Sequence, residues 1–400
     1  MKQTNSITYQ FLFSILLVIA IISCSATPKQ SYKEKENIYL DSLEMLFTNV
    51  PQWLTTLYDS TSGGFYHNAL MADDPRFEPD MQSTAFVLNI LLDGNIIDSV
   101  PASYRNKLKT YVFSRYDSSR GLFLDSLYAE RILQSDRTLG RSQTMVTLIT
   151  DKLGIKEMES PLIQENTPEY LKSLDHFKSW VQTRKWERVW SSFDHISSQC
   201  AFIKRLPPEQ ADSLIRFVQD YALLIQNEDG LWGKGQAQEV RISGALKYAL
   251  FCERMGIPMP GADKIYKTVL EWLRTNEELD FSEHSPCPIC VPRNALTLLA
   301  FIKPGLSFPI PVEDRLVLVK NAYVMLKFYH NRDGGFMKNH LESRIVPLDI
   351  DYGKYDSLVS DLNGTMMAFI ARRDLYKLLE LPIPPIEMTD RLKKILMSDI

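Results

Sequence analysis

The chain has 400 residues, of which 45% are hydrophobic and 24% charged, and its formal net charge is −4 at pH 7. This is ordinary globular composition, and the chain is long enough to bury a large core. Because no basic run or patch is present, we predict no nucleic-acid partner. Length alone allows two or three domains, whereas a closed ring of repeats would form a single one.

The N-terminal residues predict export and a lipid anchor. Lys2 precedes an almost wholly apolar stretch at residues 11–22, which is too short for a comfortable membrane span. A positive start, a short apolar stretch and a small residue before the cut are typical of a secretory signal peptide. The ending at Cys24 resembles the lipobox of bacterial lipoproteins, which implies a lipid on Cys24; the alternative is an ordinary signal peptide with a chance cysteine.

These features predict three segments. Residues 1–23 form the signal peptide, 24–36 a flexible tether and 37–400 the folded domain. The predicted location is the bacterial cell envelope, with the lipid at the periplasmic or outer-membrane surface. An exported protein folds where disulfides are permitted.

Past the tether, amphipathic runs alternate with turns. The runs have apolar residues at three- and four-residue spacing, as in surface helices. The turns place Asp before Gly and an aromatic residue, so that Asp bonds its own backbone, Gly takes positive φ and the aromatic packs on the core. Four clear turns lie at 58–65, 116–123, 227–233 and 331–336, with degenerate copies near 186–190 and 279–281.

After each turn, a short polar segment opens a more apolar run that predicts a buried inner helix. These segments recur roughly every 50 to 70 residues, which is typical of a repeat architecture. The repeated unit is therefore an outer helix, a turn, a loop and an inner helix, and no strand periodicity is present. The six segments start at Asp80, Arg137, Asp194, Arg241, Arg293 and Asp361.

The alternation of Asp-Gly-aromatic turns with polar helix starts resembles the α/α-toroid superfamily. That group includes the terpenoid cyclases and protein prenyltransferase β-subunits, and six-hairpin carbohydrate-active enzymes share the related architecture. The resemblance covers roughly residues 40–380 and implies an all-α fold, a single toroid of about six helical hairpins. It does not define a reaction, since the cyclase Asp-x-Asp-Asp motif is absent and no zinc-ligand set can be matched.

In a ring of hairpins the starts of the inner helices gather at one end of the axis. Helix N-termini offer free N–H groups that suit anions. We predict a site built from these residues, with no metal and no cofactor. The catalytic candidates are Asp80, Asp194, His195 and Asp361, and the substrate-binding candidates are Gln82, Arg137, Arg141, Arg241, Lys247, Arg293, Asn294 and Asn363.

The aspartates at these starts have a simple structural explanation, because Asp is a preferred N-cap. The arginines do not, because a cation is disfavoured at a helix N-terminus. Arg137, Arg241 and Arg293 each need an anion, which is either a bound ligand or a carboxylate such as Asp80, Asp194 or Asp361. Lys247, in an otherwise apolar helix, must likewise be paired or reach water.

Two reactions fit these residue types. Converging carboxylates would perform glycoside hydrolysis, with one as acid and the other as base or nucleophile. A lyase would instead use His195, Tyr352 or Tyr355 as base while Arg or Asn neutralises a uronate carboxylate. The sequence spacing does not separate the two.

Cys287 and Cys290 form a Cys-x-x-Cys motif just before the fifth inner helix. A disulfide, reduced thiols and a metal site all remain open, although no second cysteine pair is present to complete a zinc site.

The sequence thus predicts a lipid-anchored enzyme, a lyase or a hydrolase, that acts on a polar, carbohydrate-type substrate in the central cavity. One alternative is a non-catalytic lipoprotein that binds a glycan or a peptide. Another is a terpenoid-cyclase or prenyltransferase-like enzyme. The oligomeric state is not predicted.

Overall fold

The computed structural model describes residues 28–96, 101–154, 167–275, 288–344, 353–355 and 357–397. In these ranges the protein is all-α, as predicted. The helices are α1 (Pro28–Met45), α2 (Val50–Leu54), α3 (Ala69–Ala72), α4 (Met81–Asp93), α5 (Ala102–Phe113), α6 (Ala129–Leu133), α7 (Asp136–Leu153), α8 (Leu174–Gln182), α9 (Val189–Ser198), α10 (Cys200–Ile203), α11 (Pro208–Leu224), α12 (Gln238–Met255), α13 (Ala262–Thr275), α14 (Cys290–Ile302), α15 (Val312–Tyr329), α16 (Leu362–Leu379) and α17 (Asp390–Met397).

Strand structure in the described ranges is limited to two short antiparallel pairs. β1 (Tyr116–Asp117) pairs with β2 (Leu122–Phe123), and β3 (Ser343–Arg344) pairs with β4 (Lys354–Tyr355). The first pair lies in one of the predicted turns, so it extends that turn rather than forming a sheet of its own.

Six helices form a closed inner ring. In the order α4, α7, α9, α12, α14 and α16, each contacts the next, and α16 contacts α4. The outer helices α1, α5, α8, α11, α13 and α15 each precede one inner helix along the chain. In the outer layer α15 packs on α1, which joins the last hairpin to the first. This arrangement is the predicted toroid of six helical hairpins.

The inner helices run in the same direction. Arg137 and Thr144 of α7 contact Asp194 and Ser198 of α9 in that order, which only parallel helices allow. Other neighbours meet start to start or end to end: Asn294 of α14 contacts Ser243 of α12 near the two starts, and Asp93 of α4 contacts Arg373 of α16 near the two ends. The starts of the six inner helices therefore lie together, and we call this the N-terminal end of the ring.

The predicted turns are confirmed in the four clear copies. Their aspartates accept hydrogen bonds from backbone N–H groups two residues further on, and their aromatic residues are buried. Their glycines have positive φ: 83° at Gly63, 62° at Gly121, 84° at Gly230 and 99° at Gly334.

Each of three turns is tied to the inner helix of its own hairpin. Phe65 N–H donates to Thr84 Oγ1 over 3.2 Å and Phe336 N–H donates to Thr365 Oγ1 over 3.0 Å. Phe123 N–H donates in the same way to Gln143 Oε1, at 3.2 Å. The repeat seen in the sequence is thus a repeat of hydrogen bonding as well as of helices.

The N-terminal helix differs from the expectation of a flexible tether. Helix α1 begins at Pro28 and so includes residues 28–36 of that segment. Glu36 is buried and its carboxylate accepts hydrogen bonds from Arg315 at 2.7 and 3.2 Å, which attaches this helix to α15. The sequence did not predict this attachment of α1 to α15, because Arg315 is 279 residues away from Glu36. The signal peptide and Cys24 lie outside the described residues, and the domain bounds remain a prediction.

Candidate functional site

Asp80 is the N-cap of α4. Its side chain accepts the N–H of Ser83 at 2.8 Å and the hydroxyl of Ser83 at 2.6 Å. Asp125, which the sequence analysis missed, accepts the N–H of Met81 at 3.1 Å and binds Arg115 Nε at 2.8 Å. Both carboxyls are buried and bonded to the first residues of α4, so they serve the start of that helix.

The two carboxyls also perturb each other. Burial raises the pKa of Asp80, and the negative charge of Asp125 raises it further. Burial likewise raises the pKa of Asp125, against the lowering effect of Arg115. We assign the pair a structural role at the start of α4. Because both pKa values are raised, burial disfavours the ionised form of both carboxyls.

Asp361 caps α16 in the same manner. Its carboxylate accepts the N–H of Gly364 at 2.8 Å and the N–H of Lys338 at 2.7 Å, and His67 Nε2 lies 3.7 Å away. The capping explanation therefore accounts for two of the three predicted catalytic aspartates.

The position of Asp194 in its helix was predicted wrongly. A 3₁₀ turn at Trp186–Arg188 leads into α9, which begins at Val189, so Asp194 and His195 lie inside the helix and not at its start. The misplacement has a physical cause: Trp186 and Val189 pack on the core and begin the helix earlier than the polar residues indicated.

Asp194 is the centre of a charged cluster. Its buried carboxylate forms ion pairs with Lys247 Nζ of α12 at 2.6 Å and with Arg137 Nε of α7. Burial alone would raise the pKa of Asp194, but Lys247, Arg137 and Arg141 together hold it well below its usual range. Three predicted binding residues therefore surround one predicted catalytic residue.

A half-exposed tryptophan covers this cluster. Trp190 is 38% exposed, and its ring lies 5.8 Å from the Arg137 guanidinium carbon and 5.6 Å from Lys247 Nζ. Trp190 is one helical turn before Asp194, so both occupy the same face of α9. In the sequence, Trp190 was part of a degenerate turn at 186–190 and was not predicted as a site residue; its i, i+4 spacing to Asp194 was the available signal. We call Trp190, Arg137, Arg141, Lys247 and Asp194 the tryptophan cluster.

His195 follows Asp194 on α9 and is partly buried. Its Nδ1 lies 2.8 Å from the carbonyl oxygen of Ser191. A carbonyl only accepts, so Nδ1 carries the proton in neutral His195 and Nε2 carries the lone pair. Among the described residues, this contact with Ser191 is the hydrogen bond that the ring of His195 makes.

The predicted arginines differ in their partners. Arg137 pairs with the carboxylate of Asp194. A carboxylate of the protein was one of the two partners expected for these arginines, the other being a bound ligand. Arg241 pairs instead with Asp229 of a turn, at 2.8 Å, and donates to the carbonyl of Trp232 at 3.0 Å. Arg241 is therefore part of the turn structure and lies outside the tryptophan cluster.

Arg293 has no carboxylate within ion-pair distance among the described residues. Its guanidinium Nη1 donates to Asn294 Oδ1 at 3.0 Å, and the Asn294 amide donates to Ser243 at 3.0 Å. Its Nε is buried without a hydrogen-bond partner. Burial lowers the pKa of Arg293 to about 10, and Arg141, which lies on the opposite inner helix, contributes to the lowering.

Two of the three predicted amides, Gln82 and Asn363, are buried on neighbouring inner helices. Gln82 is 2% exposed and Asn363 is 5% exposed. Gln82 Nε2 and Asn363 Oδ1 have no hydrogen-bond partner in the described part of the chain. Each is the second residue of its helix, and α4 and α16 are in contact. Both therefore lie at the N-terminal end of the ring.

The described cysteine and acidic residues were the remaining candidates for metal ligands. Among the described residues no group of three or more His, Cys, Asp or Glu is placed to hold a metal ion. Cys200, Cys252 and Cys290 have no disulfide partner among the described residues, and the three alternatives for the Cys287 and Cys290 motif remain predictions. Cys287 and Tyr352 lie outside the described residues.

A cavity of about 230 Å³ lies near the opposite end of the ring, where α7, α10 and α12 meet. Lys152, Lys204 and Arg254 line it together with Leu148 and Cys200. It contains none of the predicted site residues.

No helix in the described ranges combines the length and the apolar character needed to cross a membrane.

No protein family and no curated protein matches the sequence. The chain is similar to the solved structure of the GH76A alpha-1,6-mannanase from Salegentibacter sp. HEL1_6, with 12% sequence identity and a TM-score of 0.40, over 85% of this chain and 99% of that chain.

Proposed function

We propose that the protein binds a glycan at the N-terminal end of the ring and acts on it there. The observation that carries this proposal is the tryptophan cluster. Trp190 offers an exposed aromatic face, and Arg137 and Lys247 stand beside it with an ionised carboxylate between them.

A sugar fits this combination chemically. The C–H face of a sugar ring packs on an indole, while its hydroxyl groups bond to charged groups at the ring edge. A terpenoid substrate fits less well, because a cyclase needs a dry aromatic cavity and the described residues here are mainly charged or amide-bearing.

His195 is the proposed general base, since it directly follows Asp194 on α9 and its Nδ1 is held by the carbonyl of Ser191, which leaves the lone pair on Nε2. Asp194 is a positioning residue. With its pKa held well below the usual range, it is not available as a general acid, and it orients Lys247 and Arg137.

One observation favours the non-catalytic alternative, a glycan-binding protein. The three predicted aspartates do not converge: Asp80 and Asp361 cap their own helices, and Asp194 is held by cations. Hydrolysis by a pair of these carboxylates is therefore disfavoured.

Product analysis tests the proposal. Purified protein is incubated with a panel of acidic and neutral polysaccharides, and the products are separated by chromatography and scanned for the ultraviolet absorbance of unsaturated uronates. We expect cleavage of one member, abolished in His195→Ala and strongly reduced in Trp190→Ala, but not in the control Tyr116→Ala, a residue 43% exposed elsewhere. Binding without products would support the non-catalytic alternative, and neither binding nor products would contradict both.

We also propose lipid anchoring at Cys24, which the signal-like residues before it support. Radiolabelled palmitate should enter the wild-type protein and the control Cys252→Ser, and the protein should fractionate with membranes. Cys24→Ser should lose both label and membrane association. Equal labelling of Cys24→Ser and wild type would contradict the proposal.

A further inference from the structure

Helix α1 runs antiparallel to the inner helix α16, and side-chain contacts define its direction. Phe47, just past the end of α1, packs edge to face on Phe369 of α16, with 4.9 Å between the ring centroids. Glu44 pairs with Arg372, which is about one turn further along α16. The chain therefore approaches the C-terminal end of α16 as it is followed back from Phe47 towards Pro28.

Glu36 lies at the level where α16 ends. Its carboxylate accepts a hydrogen bond from Arg315 at 2.7 Å, and the same guanidinium donates to the carbonyl oxygen of Leu379, the last residue of α16, at 3.0 Å. Because the inner helices run in one direction, this level is the C-terminal end of the ring. Helix α1 begins at Pro28, so its first turns project about 12 Å beyond that end.

The projecting part of α1 has the exposure expected of a helix outside the ring. Residues 32–35 are all exposed, and burial begins at Glu36. The proposed lipidated residue, Cys24, is only a few residues before Pro28, at most about 14 Å away even in an extended chain. Because residues 28–36 are helical, the free connection between lipid and ring is much shorter than the flexible tether predicted from the sequence.

We propose that α1 holds the C-terminal end of the ring towards the lipid bilayer, so that the N-terminal end, with the tryptophan cluster, faces away from it. The inference rests on the proposed lipid anchor at Cys24 and adds which surface of the protein is next to the membrane. The partner of that surface is the headgroup layer of the bilayer that holds the lipid. A glycan would then reach Trp190 from the aqueous side and not from the lipids of the same bilayer.

Energy transfer from the two ends of the ring to the bilayer tests this orientation. Glu253 near the end of α12 and Glu228 in the turn before α12 are both exposed and belong to the same hairpin. Glu253→Cys and Glu228→Cys are each labelled with a donor dye in the lipidated protein, which is then reconstituted into vesicles with an acceptor dye on the lipid headgroups. Wild type taken through the same labelling measures the contribution of its own cysteines.

Transfer should be at least about twofold higher from Glu253→Cys than from Glu228→Cys, because the length of α12 separates the two labels by about 27 Å along the ring. Equal transfer, or higher transfer from Glu228→Cys, would overturn the inference and leave the lipid anchor intact. Adding Cys24→Ser should abolish transfer from both labels, since the protein then leaves the vesicles. Persistent transfer in that variant would show attachment without the lipid and would also overturn the inference.

A longer tether tests whether α1 sets the orientation. An insertion of about 25 Gly and Ser residues after Thr27 adds a flexible chain that spans roughly 27 Å. The difference between the two labels should then become smaller, because the ring is free to turn relative to the bilayer. An undiminished difference would overturn the role assigned to the short connection through α1.

Failure of the anchor is distinguishable from failure of the glycan proposal. If wild type neither incorporated palmitate nor bound vesicles, the inference would fail together with the lipid anchor at Cys24. Glycan binding at the tryptophan cluster would be unaffected by that outcome, because the polysaccharide panel is tested with purified protein in solution.

Discussion

At the scale of single residues, three groups of predicted site residues differ in their partners. Asp80 and Asp361 serve their own helices, and Arg137 and Lys247 are paired with Asp194. Gln82, Asn363 and Arg293 each have a buried polar atom without a hydrogen-bond partner among the described residues. The sequence predicted the caps correctly because capping depends on residues within three positions. It did not predict Asp125 or Trp190, since their roles depend on contacts between separate hairpins.

The Asp80 and Asp125 pair predicts an unusual pH dependence. Both pKa values are raised in the folded protein, so the folded state binds more protons than the unfolded state once pH exceeds about 4. The contribution of this pair to stability should therefore fall as pH rises from about 4 towards neutrality.

Asp80→Asn keeps an N-cap acceptor and removes one of the two carboxylates. The urea concentration at the unfolding midpoint of Asp80→Asn should therefore decrease less than that of wild type as the pH rises over this range. Asp125→Asn should show the same smaller decrease. Parallel curves for wild type and both variants would contradict the raised pKa values of the two carboxyls in the folded protein.

At the scale of helices, close contact between neighbours depends on glycine. A Cβ at Gly140 would lie 2.4 Å from the carbonyl oxygen of Ser198, and one at Gly364 would lie 2.5 Å from Lys338 N and Met337 C. These contacts are with backbone, which does not move aside as a side chain does. The small residues that marked the polar segments in the sequence thus have a packing role as well as a capping one.

Gly364→Ala should destabilise the protein by about 2–3 kcal/mol, because the added methyl group meets backbone atoms. The control is Gly305→Ala, whose Cβ would be 3.4 Å from the methyl group of Ala262, an ordinary contact. It should change the free energy of unfolding by less than about 0.5 kcal/mol in urea titration. Equal effects of the two substitutions would contradict the packing assigned to α16.

At the scale of the whole molecule, the ring is closed by buried charges as well as by apolar packing. Arg372 of α16 is fully buried and forms a bidentate pair with Glu44 of α1, at 2.6 and 2.8 Å. It also donates to the carbonyl of Pro384 at 2.6 Å. The all-α class and the six hairpins were predictable from local periodicity, whereas this closure was not, since Glu44 and Arg372 are 328 residues apart.

Glu44→Ala should destabilise the protein by about 3 kcal/mol, because it leaves the Arg372 charge buried without a carboxylate. The control Glu169→Ala removes the exposed pair with Lys172 and should leave the urea midpoint unchanged. If Glu44→Ala also left the midpoint unchanged, the first and last hairpins would not depend on this ion pair.

The central claim is that a glycan binds at the tryptophan cluster, and calorimetric titration with oligosaccharides tests it most directly. We expect at least one member of a panel of hexauronates and neutral hexasaccharides to bind wild type. Trp190→Ala should weaken that binding at least about tenfold, because it removes the exposed aromatic face, whereas the control Tyr116→Ala should not change it. Unchanged affinity in Trp190→Ala, or no binding of any member of the panel to wild type, would contradict the account.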